Sequence, residues 1–316
     1  MLAGRYGWRS SNGAARSTWS HEMCTIPTST PPTDAEAFKL AARRQWDACA
    51  KGWHDKSALI RSWLRDSTDA MLAMADIRPG ARVLDVAAGA GDQTCDIAQR
   101  VGPTGYVLAT DISPAILALA KDNTRRAGHA NVETRVADGE AIEVGEGSFD
   151  AAICRLGLMF FPDPGKGLER MCGALKPGGR ACVMAFSSPQ QNPCIGILVS
   201  TAFKHAGLPL PDPYRPGGLL SLGKPGLLDA LFRHAGFSHV ATTKIAAPFR
   251  LPSVHDYLDF VRVSASPILQ IVGHLDDAKR EAAWAEIADR LSAFNTPDGW
   301  EGPNELLLTA GQRPTL

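Results

Sequence analysis

From residue 34 onward the chain carries apolar positions with two different periods. Phe38, Leu40, Ala41 and Trp46 recur at helical spacing behind Asp34, which stands where a helix cap belongs. A second amphipathic stretch covers about 57–75, with Leu59, Ile60, Trp63, Leu64, Met71, Leu72 and Met74 on its apolar side, and Pro79-Gly80 closes it. Short apolar runs then take over. Arg82-Val83-Leu84-Asp85-Val86-Ala87 reads as a buried parallel strand ending in a Gly-rich turn, with a helix over 94–100 after it. A strand at 106–110 is followed by Ser113-Pro114, which opens a helix reaching about Ala127 with proline in its first turn. Further strands are expected at 132–137, 149–154 and 180–186, with a helix over 165–175 between the last two. Strand and helix alternating across short turns predict an α/β fold with a doubly wound, mostly parallel sheet.

After Phe186 the rhythm breaks. Residues 187–225 read as an irregular stretch rich in Pro, Gly and Leu, including Pro189, Pro193, Pro209, Pro211, Pro213 and Pro216. A helix over 226–235 and a strand near 239–248 restore the pattern; 255–300 then reads as mainly helical before a last strand at 305–309. The expected organisation is a helical lid at 34–79, a core at 80–186, and a C-terminal part, 187–316, that completes the sheet. Its segments 187–225 and 250–302 are expected to form a cap, because long insertions in a compact sheet protein tend to be lids or binding surfaces.

Composition narrows the classes. At 316 residues the chain can bury a core without disulfides or a structural metal. Its 33 Lys+Arg balance 33 Asp+Glu, and neither insertion interleaves basic and aromatic residues, so no nucleic-acid partner is expected. Seven cysteines form no CxxC pair and are odd in number, which points away from a disulfide framework or a metal site and toward a reducing, cytoplasmic compartment. No apolar run approaches the ~20 residues of a membrane span, so no stable membrane insertion is expected. Residues 1–33 are rich in Arg and Ser, hold the single acid Glu22 and lack a continuous apolar segment. They are expected to be a disordered or non-native extension, with Met23 as an alternative start; an organellar transit peptide is the other reading.

The candidate chemistry begins at Gly89-Ala90-Gly91, a turn between strand and helix whose exposed N–H groups favour an anion. Asp111 ends the next strand, where an acid either accepts ribose hydroxyls or caps the following helix. Together they point to a nucleoside-containing ligand at the switch point of the sheet. The run Ala87-Ala88-Gly89-Ala90-Gly91-Asp92-Gln93-Thr94 lacks the three spaced glycines of a dinucleotide fingerprint, and no phosphate-binding G-x-x-x-x-G-K-[ST] loop occurs.

Over about 45–186, and more loosely beyond, these segments resemble the class I S-adenosylmethionine-dependent methyltransferases. Val83-Leu84-Asp85-Val86-Ala87-Ala88-Gly89-Ala90-Gly91-Asp92 is similar to the family's first motif, with Ala87 in place of a frequent glycine. Asp111 and Ile112 match its ribose-binding acid and adenine-packing residue, and Ala137-Asp138-Gly139 its adenine-contacting turn. Ser148-Phe149-Asp150 and Arg155-Leu156-Gly157-Leu158-Met159-Phe160 match the entry and exit of the fourth strand, and Leu175-Lys176-Pro177-Gly178-Gly179 the turn before the fifth. The motif style is closest to the ubiquinone and menaquinone C-methyltransferases and their small-molecule relatives.

The resemblance implies a seven-stranded Rossmann-like sheet and S-adenosyl-L-methionine as cofactor, with S-adenosyl-L-homocysteine as product. It assigns the cofactor to Asp85, Ala87, Gly89, Gly91, Asp111, Ile112, Asp138, Gly139 and Arg155. Trp46 and Trp53 fall where such proteins place lid aromatics, ordinary helix packing being the other reading. Arg155 has three eligible partners: the cofactor carboxylate, an acceptor anion or a structural acid. Phe160 and Phe161, with 187–225, either line an apolar acceptor pocket or cover the sheet edge. No Ser/His/Asp or metal-ligand motif is legible; His205, Tyr214 and His255, and beside them Arg215 and Tyr257, lie in the insertions as candidates for a catalytic or acceptor-facing role. The expected function is in-line methyl transfer to oxygen or carbon of a small, largely apolar acceptor. The alternatives are a quinone-biosynthesis C-methyltransferase proper, a nicotinamide-dependent oxidoreductase and a non-catalytic S-adenosylmethionine-binding module.

Overall fold

The computed structural model describes residues 35–264 and 266–315. The expectations for residues 1–33 and for an Asp34 cap lie outside the described residues. Two helices open the described chain, α1 (Ala35–Asp55) and α2 (Ser57–Met74). The apolar stripe of α2 is what buries it: Ile60, Leu64, Met71 and Leu72 are all but inaccessible. In α1 the packing departs from the sequence pattern, since Leu40 is 50% exposed and Ala50 is the helix's fully buried residue.

The alternating region folds as β1 (Arg82–Val86), α3 (Asp92–Val101), β2 (Tyr106–Asp111), α4 (Pro114–Arg126), β3 (Val132–Val136), β4 (Phe149–Arg155), α5 (Pro164–Ala174) and β5 (Leu175–Phe186). Beyond it come α6 (Pro193–His205), α7 (Leu227–His234), β6 (Ser238–Ala246), β7 (Phe249–Leu251) and α8 (Val254–Ser264). The chain ends with α9 (Ser266–Gly273), α10 (Asp277–Leu291), β8 (Asn295–Thr296), β9 (Gly299–Gly302) and β10 (Glu305–Gln312).

Seven strands form one sheet in the order β3-β2-β1-β4-β5-β10-β6. The first five are parallel, with Val83 opposite both Val107 and Ala151. β10 runs antiparallel between β5 and β6, pairing Leu308 with Met184 and with Thr243. That inserted place explains why Leu306, Leu308 and Ala310 are buried. Strand order reverses between β1 and β4, so a crevice opens at their carboxyl ends, where open α/β sheets bind ligands.

Three expectations are corrected. Ala87 is not strand: its φ of +55° turns the chain out of the sheet. The stretch 187–225 is not irregular throughout, because Pro193 starts α6, which buries Cys194, Ile195, Leu198 and Phe203. Proline is well suited to a helix's first turn, so the composition that suggested a loop also marks a helix start. The segment before β10 is not helical to its end but returns through the three-stranded sheet β7-β9-β8. Trp300 is buried on it and donates its indole N–H to the Leu291 carbonyl at 2.8 Å.

Candidate active site

The floor of the crevice is set by backbone geometry. After β1 the chain takes left-handed conformations at Ala87, Gly89 and Gly91 before entering α3. At Gly91 a Cβ would lie 2.9 Å from the Cα and Cβ of Ala120 on α4, so the loop admits no larger residue. Ala87 bears the left-handed strain that a glycine would avoid. Across from it, a Cβ on Gly157 would come within 2.4 Å of the Ala87 Cβ. Leu156, next to Gly157, is also left-handed at φ +55°. Ala87 and Leu156 both line the cavity, so its floor carries two strained non-glycine residues.

Two strand-end carboxylates face this floor. Asp111 is 8% exposed and accepts the N–H groups of Gly89 at 3.0 Å and Ser113 at 2.9 Å. Burial pushes its carboxyl up to about 6, although those backbone bonds favour the charged form. Capping of α4 falls to Ser113, whose Oγ accepts the Ile116 N–H at 3.1 Å. Asp138 follows β3 and accepts the Glu140 N–H at 2.9 Å. Gly139 beside it lies under the Phe161 ring, which an added Cβ would meet at 2.1 Å.

Helix α1 roofs the crevice. Its Lys39 ammonium bridges Asp138 and Glu140, both at 2.7 Å. Further along, Asp47 accepts the Ser113 hydroxyl at 2.5 Å, and His54 meets the Asn123 amide at 3.2 Å. Trp46 stands edge-on to Trp53 at 6.0 Å and to Phe160 at 5.3 Å. Both tryptophans therefore pack and line the cavity at once, so the two roles considered for them coexist.

Arg155 ends β4 and is almost wholly buried, donating to the Thr68 hydroxyl at 3.0 Å. Burial lowers its pKa while Asp92, Asp85 and Asp96 support its charge. These acids act on it through their charge and not through a direct ion pair, and its one side-chain bond among the described residues is to Thr68. Asp85 accepts from Thr94 at 2.6 Å and Gln93 at 3.3 Å behind the loop, and burial pushes its carboxyl up to about 6.

Beyond Phe160 the cavity continues into an aromatic half built by α2, α6, β7 and α8. Trp63 stacks on Phe249 at 4.0 Å and donates to the Ala247 carbonyl at 2.7 Å. The unfilled space, mouth included, is about 1630 Å³.

The structure gathers most residues singled out in the sequence. Ala87, Gly89, Asp111, Ile112, Asp138, Gly139, Arg155, Trp46, Trp53, Phe160, Phe161 and Tyr257 line the cavity; Asp85 and Gly91 sit behind its wall. His205, Tyr214 and His255 are not brought to it. His205 instead faces Glu286 at 2.9 Å between α6 and α10, His255 is exposed, and Tyr214 lies in the loop after α6. Sequence reasoning missed Lys39 and Asn304. One is an ordinary helix lysine and the other a single polar residue before a strand, and neither carries a periodic signal.

Residues 59–205 match the ubiE/COQ5 methyltransferase family. The ubiquinone/menaquinone biosynthesis C-methyltransferase UbiE of Pasteurella multocida is 37% identical over 134 residues, 42% of this chain and 48% of that protein. UbiE of Haemophilus ducreyi is 30% identical over 196 residues, covering 59% of this chain and 74% of its own. The chain spans about half the length of the first curated relatives it matches. Among solved structures, the YcgJ protein from Bacillus subtilis has a TM-score of 0.54 at 19% identity, over 79% of this chain and 99% of that one, a likeness of fold.

Proposed function

The chain belongs to the ubiE/COQ5 methyltransferase family, and from that premise we propose that it transfers a methyl group from S-adenosylmethionine to a small, largely apolar acceptor. The observation that carries this reading is the joining, in one cavity, of a nucleoside-type end to an aromatic end. The residues at the first end fit the cofactor. Two carboxylates, Asp111 and Asp138, stand at successive strand ends, suited to ribose hydroxyls and to an adenine amino group. Ile112 offers the base an apolar contact, and the left-handed turn through Ala87 and Gly89 presents backbone rather than side chains.

The bound cofactor supplies a methyl group already activated on a sulfonium. What the chain adds is position and dryness. Trp46, Trp53 and Phe160 close the roof over the junction of the two ends, which excludes water and holds an acceptor close. Among the described lining residues the aromatic end has no carboxylate and no histidine, so the chain's contribution there is placement rather than proton removal.

Calorimetric titration with S-adenosylmethionine and S-adenosylhomocysteine tests the reading. Saturable binding of both is expected; folded protein that binds neither would overturn it. Transfer of labelled methyl to a panel of phenols, ketones, acids and amines then separates an enzyme from a binding module.

A further inference from the structure

The aromatic end of the cavity contains two polar side chains whose hydrogen-bonding capacity the protein leaves unused. Asn304, just before β10, is 8% exposed, and its Nδ2 is buried without a hydrogen-bond partner. Its backbone is clamped on both sides. The Asn304 carbonyl accepts the Ala247 N–H at 2.8 Å, and the Glu305 N–H donates to Asn192 Oδ1 at 3.2 Å. The amide thus stays at the cavity wall. Tyr257 on α8 is 4% exposed, stacked on Trp300 at 4.7 Å and edge-on to Phe249 at 5.1 Å. Its hydroxyl has no hydrogen-bond partner among the described residues, and burial keeps it protonated.

A buried donor left unpaired is costly, so the Asn304 amide calls for an oxygen supplied from outside the chain, and the Tyr257 hydroxyl is free to give a second bond to it. The surroundings specify what else that molecule must be. Trp63, Phe186, Ile195, Leu198, Phe249 and Phe260 make the rest of this end apolar. The charged lining residues Lys39, Asp111, Asp138 and Arg155 belong to the other end, where Lys39 is paired with two carboxylates and Arg155 lies in the field of Asp92, Asp85 and Asp96. A charged acceptor would be buried here with no counter-ion.

Resting on the cofactor reading above, we propose that Asn304 and Tyr257 are the acceptor-recognition pair. They take an uncharged, flat apolar molecule by a single hydroxyl or carbonyl oxygen. The amide of Asn304 is the primary partner and the Tyr257 hydroxyl the second. Both are specificity-determining and hold the acceptor's far end, leaving its near end to face the cofactor under Trp46 and Phe160.

The test uses the full chain loaded with S-adenosylhomocysteine and four probes on one skeleton: naphthalene, 2-naphthol, 2-naphthoate and 2-naphthylmethylammonium. Equilibrium dialysis should show 2-naphthol binding about fivefold more tightly than naphthalene, with both ions weaker than either. Asn304→Ala should remove most of that hydroxyl preference while affinities for naphthalene and S-adenosylhomocysteine stay within about twofold. Tyr257→Phe, which keeps the ring stack, should reduce the preference by a smaller factor and covers the case in which Asn304→Ala does not fold. No binding of 2-naphthol, equal binding of naphthol and naphthalene, tight binding of either ion, or an unchanged preference in both variants would each overturn the pair. Equal binding of naphthol and naphthalene is also what a resident water would produce. Failure of S-adenosylhomocysteine itself to bind is a separate result that overturns the cofactor reading and this inference with it.

Discussion

At the residue scale the floor of the cavity stores a conflict between Ala87 and Gly157. Ala87 occupies a left-handed conformation that costs a side-chain-bearing residue about 1–2 kcal/mol, and glycine would return part of that gain through its looser unfolded chain. Ala87→Gly should therefore raise the urea midpoint by a stabilisation of roughly 0.5–1 kcal/mol; a lowered midpoint would mean that the Ala87 methyl packs better than its backbone is strained. Gly157→Ala should cost about 1–3 kcal/mol through overlap with that methyl, and clearly less in the Ala87→Gly background. Asp111 gives a second residue-scale expectation. Its folded pKa of about 6 and that of Asp85 lie above the unfolded value of 3.8. The native chain thus holds these protons between about pH 4 and 6 after the unfolded chain has released them, so their contribution to stability is lost as pH rises through that window. Binding runs the other way, because ribose hydroxyls donate to the ionised carboxylate. Calorimetry should find S-adenosylhomocysteine about tenfold weaker at pH 5 than at pH 7, and Asp111→Asn should flatten that profile. A profile unchanged by the substitution would remove Asp111 from the ribose site. The strand-end acid and the glycine turn were legible in sequence because their chemistry needs particular residue types at particular strand ends. Asn304 was not, since what marks it is an absent partner, a property that exists only once the distant segments at Ala247 and Asn192 clamp the chain around it.

At the element scale, α1 is a helix with little fully buried surface, held to the body by aromatic packing and by polar ties. Its fully buried residue is a single alanine; Trp46 and Trp53 pack against Phe160 and Phe260, and Lys39 to Asp138 and Glu140, Asp47 to Ser113, and His54 to Asn123 add polar contacts along the roof. Such an element is expected to open locally at a lower free energy than the sheet beneath it. Lys39→Met keeps the apolar stem and removes the charge, leaving the buried Glu140 carboxylate without its cation. With screening at a site partly open to solvent, the loss should be about 1 kcal/mol, or roughly fivefold faster hydrogen exchange over the first two turns of α1. High salt should do the same to the unsubstituted protein. Exchange unchanged in the variant would show that aromatic packing of Trp46 and Trp53, not the ion pair, holds the roof. The same contrast explains which elements could be read in advance. Strands β1, β2, β4 and β5 are buried on both faces and spell themselves as apolar runs. Helix α6 and the small sheet β7-β9-β8 owe their form to tertiary packing around Trp300 and the core, so local pattern misjudged them.

At the scale of the whole molecule, the cavity joins residues from near both ends of the described chain, Phe38 to Asn304. One hydrophobic core runs without a break from Ile60 on α2 to Ala310 on β10, taking in Trp300 and the α8–α10 cap on the way. A cap with its own separate core would unfold by itself; one that shares the sheet's core should not. Far-UV circular dichroism and tryptophan fluorescence are therefore expected to report a single coincident thermal transition. Trp46, Trp53 and Trp63 line the cavity, and Trp284 on α10 and Trp300 behind Tyr257 report on the cap, so a cap melting early would separate the two probes. A ligand that binds the sheet's crevice and not the unfolded chain stabilises by mass action, about 2.7 kcal/mol at a hundredfold excess over its dissociation constant. For a chain of this size that is a rise of roughly 5 °C in midpoint. S-adenosylhomocysteine should move both signals upward together by that amount. If it moved the circular dichroism alone and left the fluorescence midpoint behind, sheet and cap would be separate cooperative units, and an acceptor bound in the cap would gain nothing from a cofactor bound on the sheet.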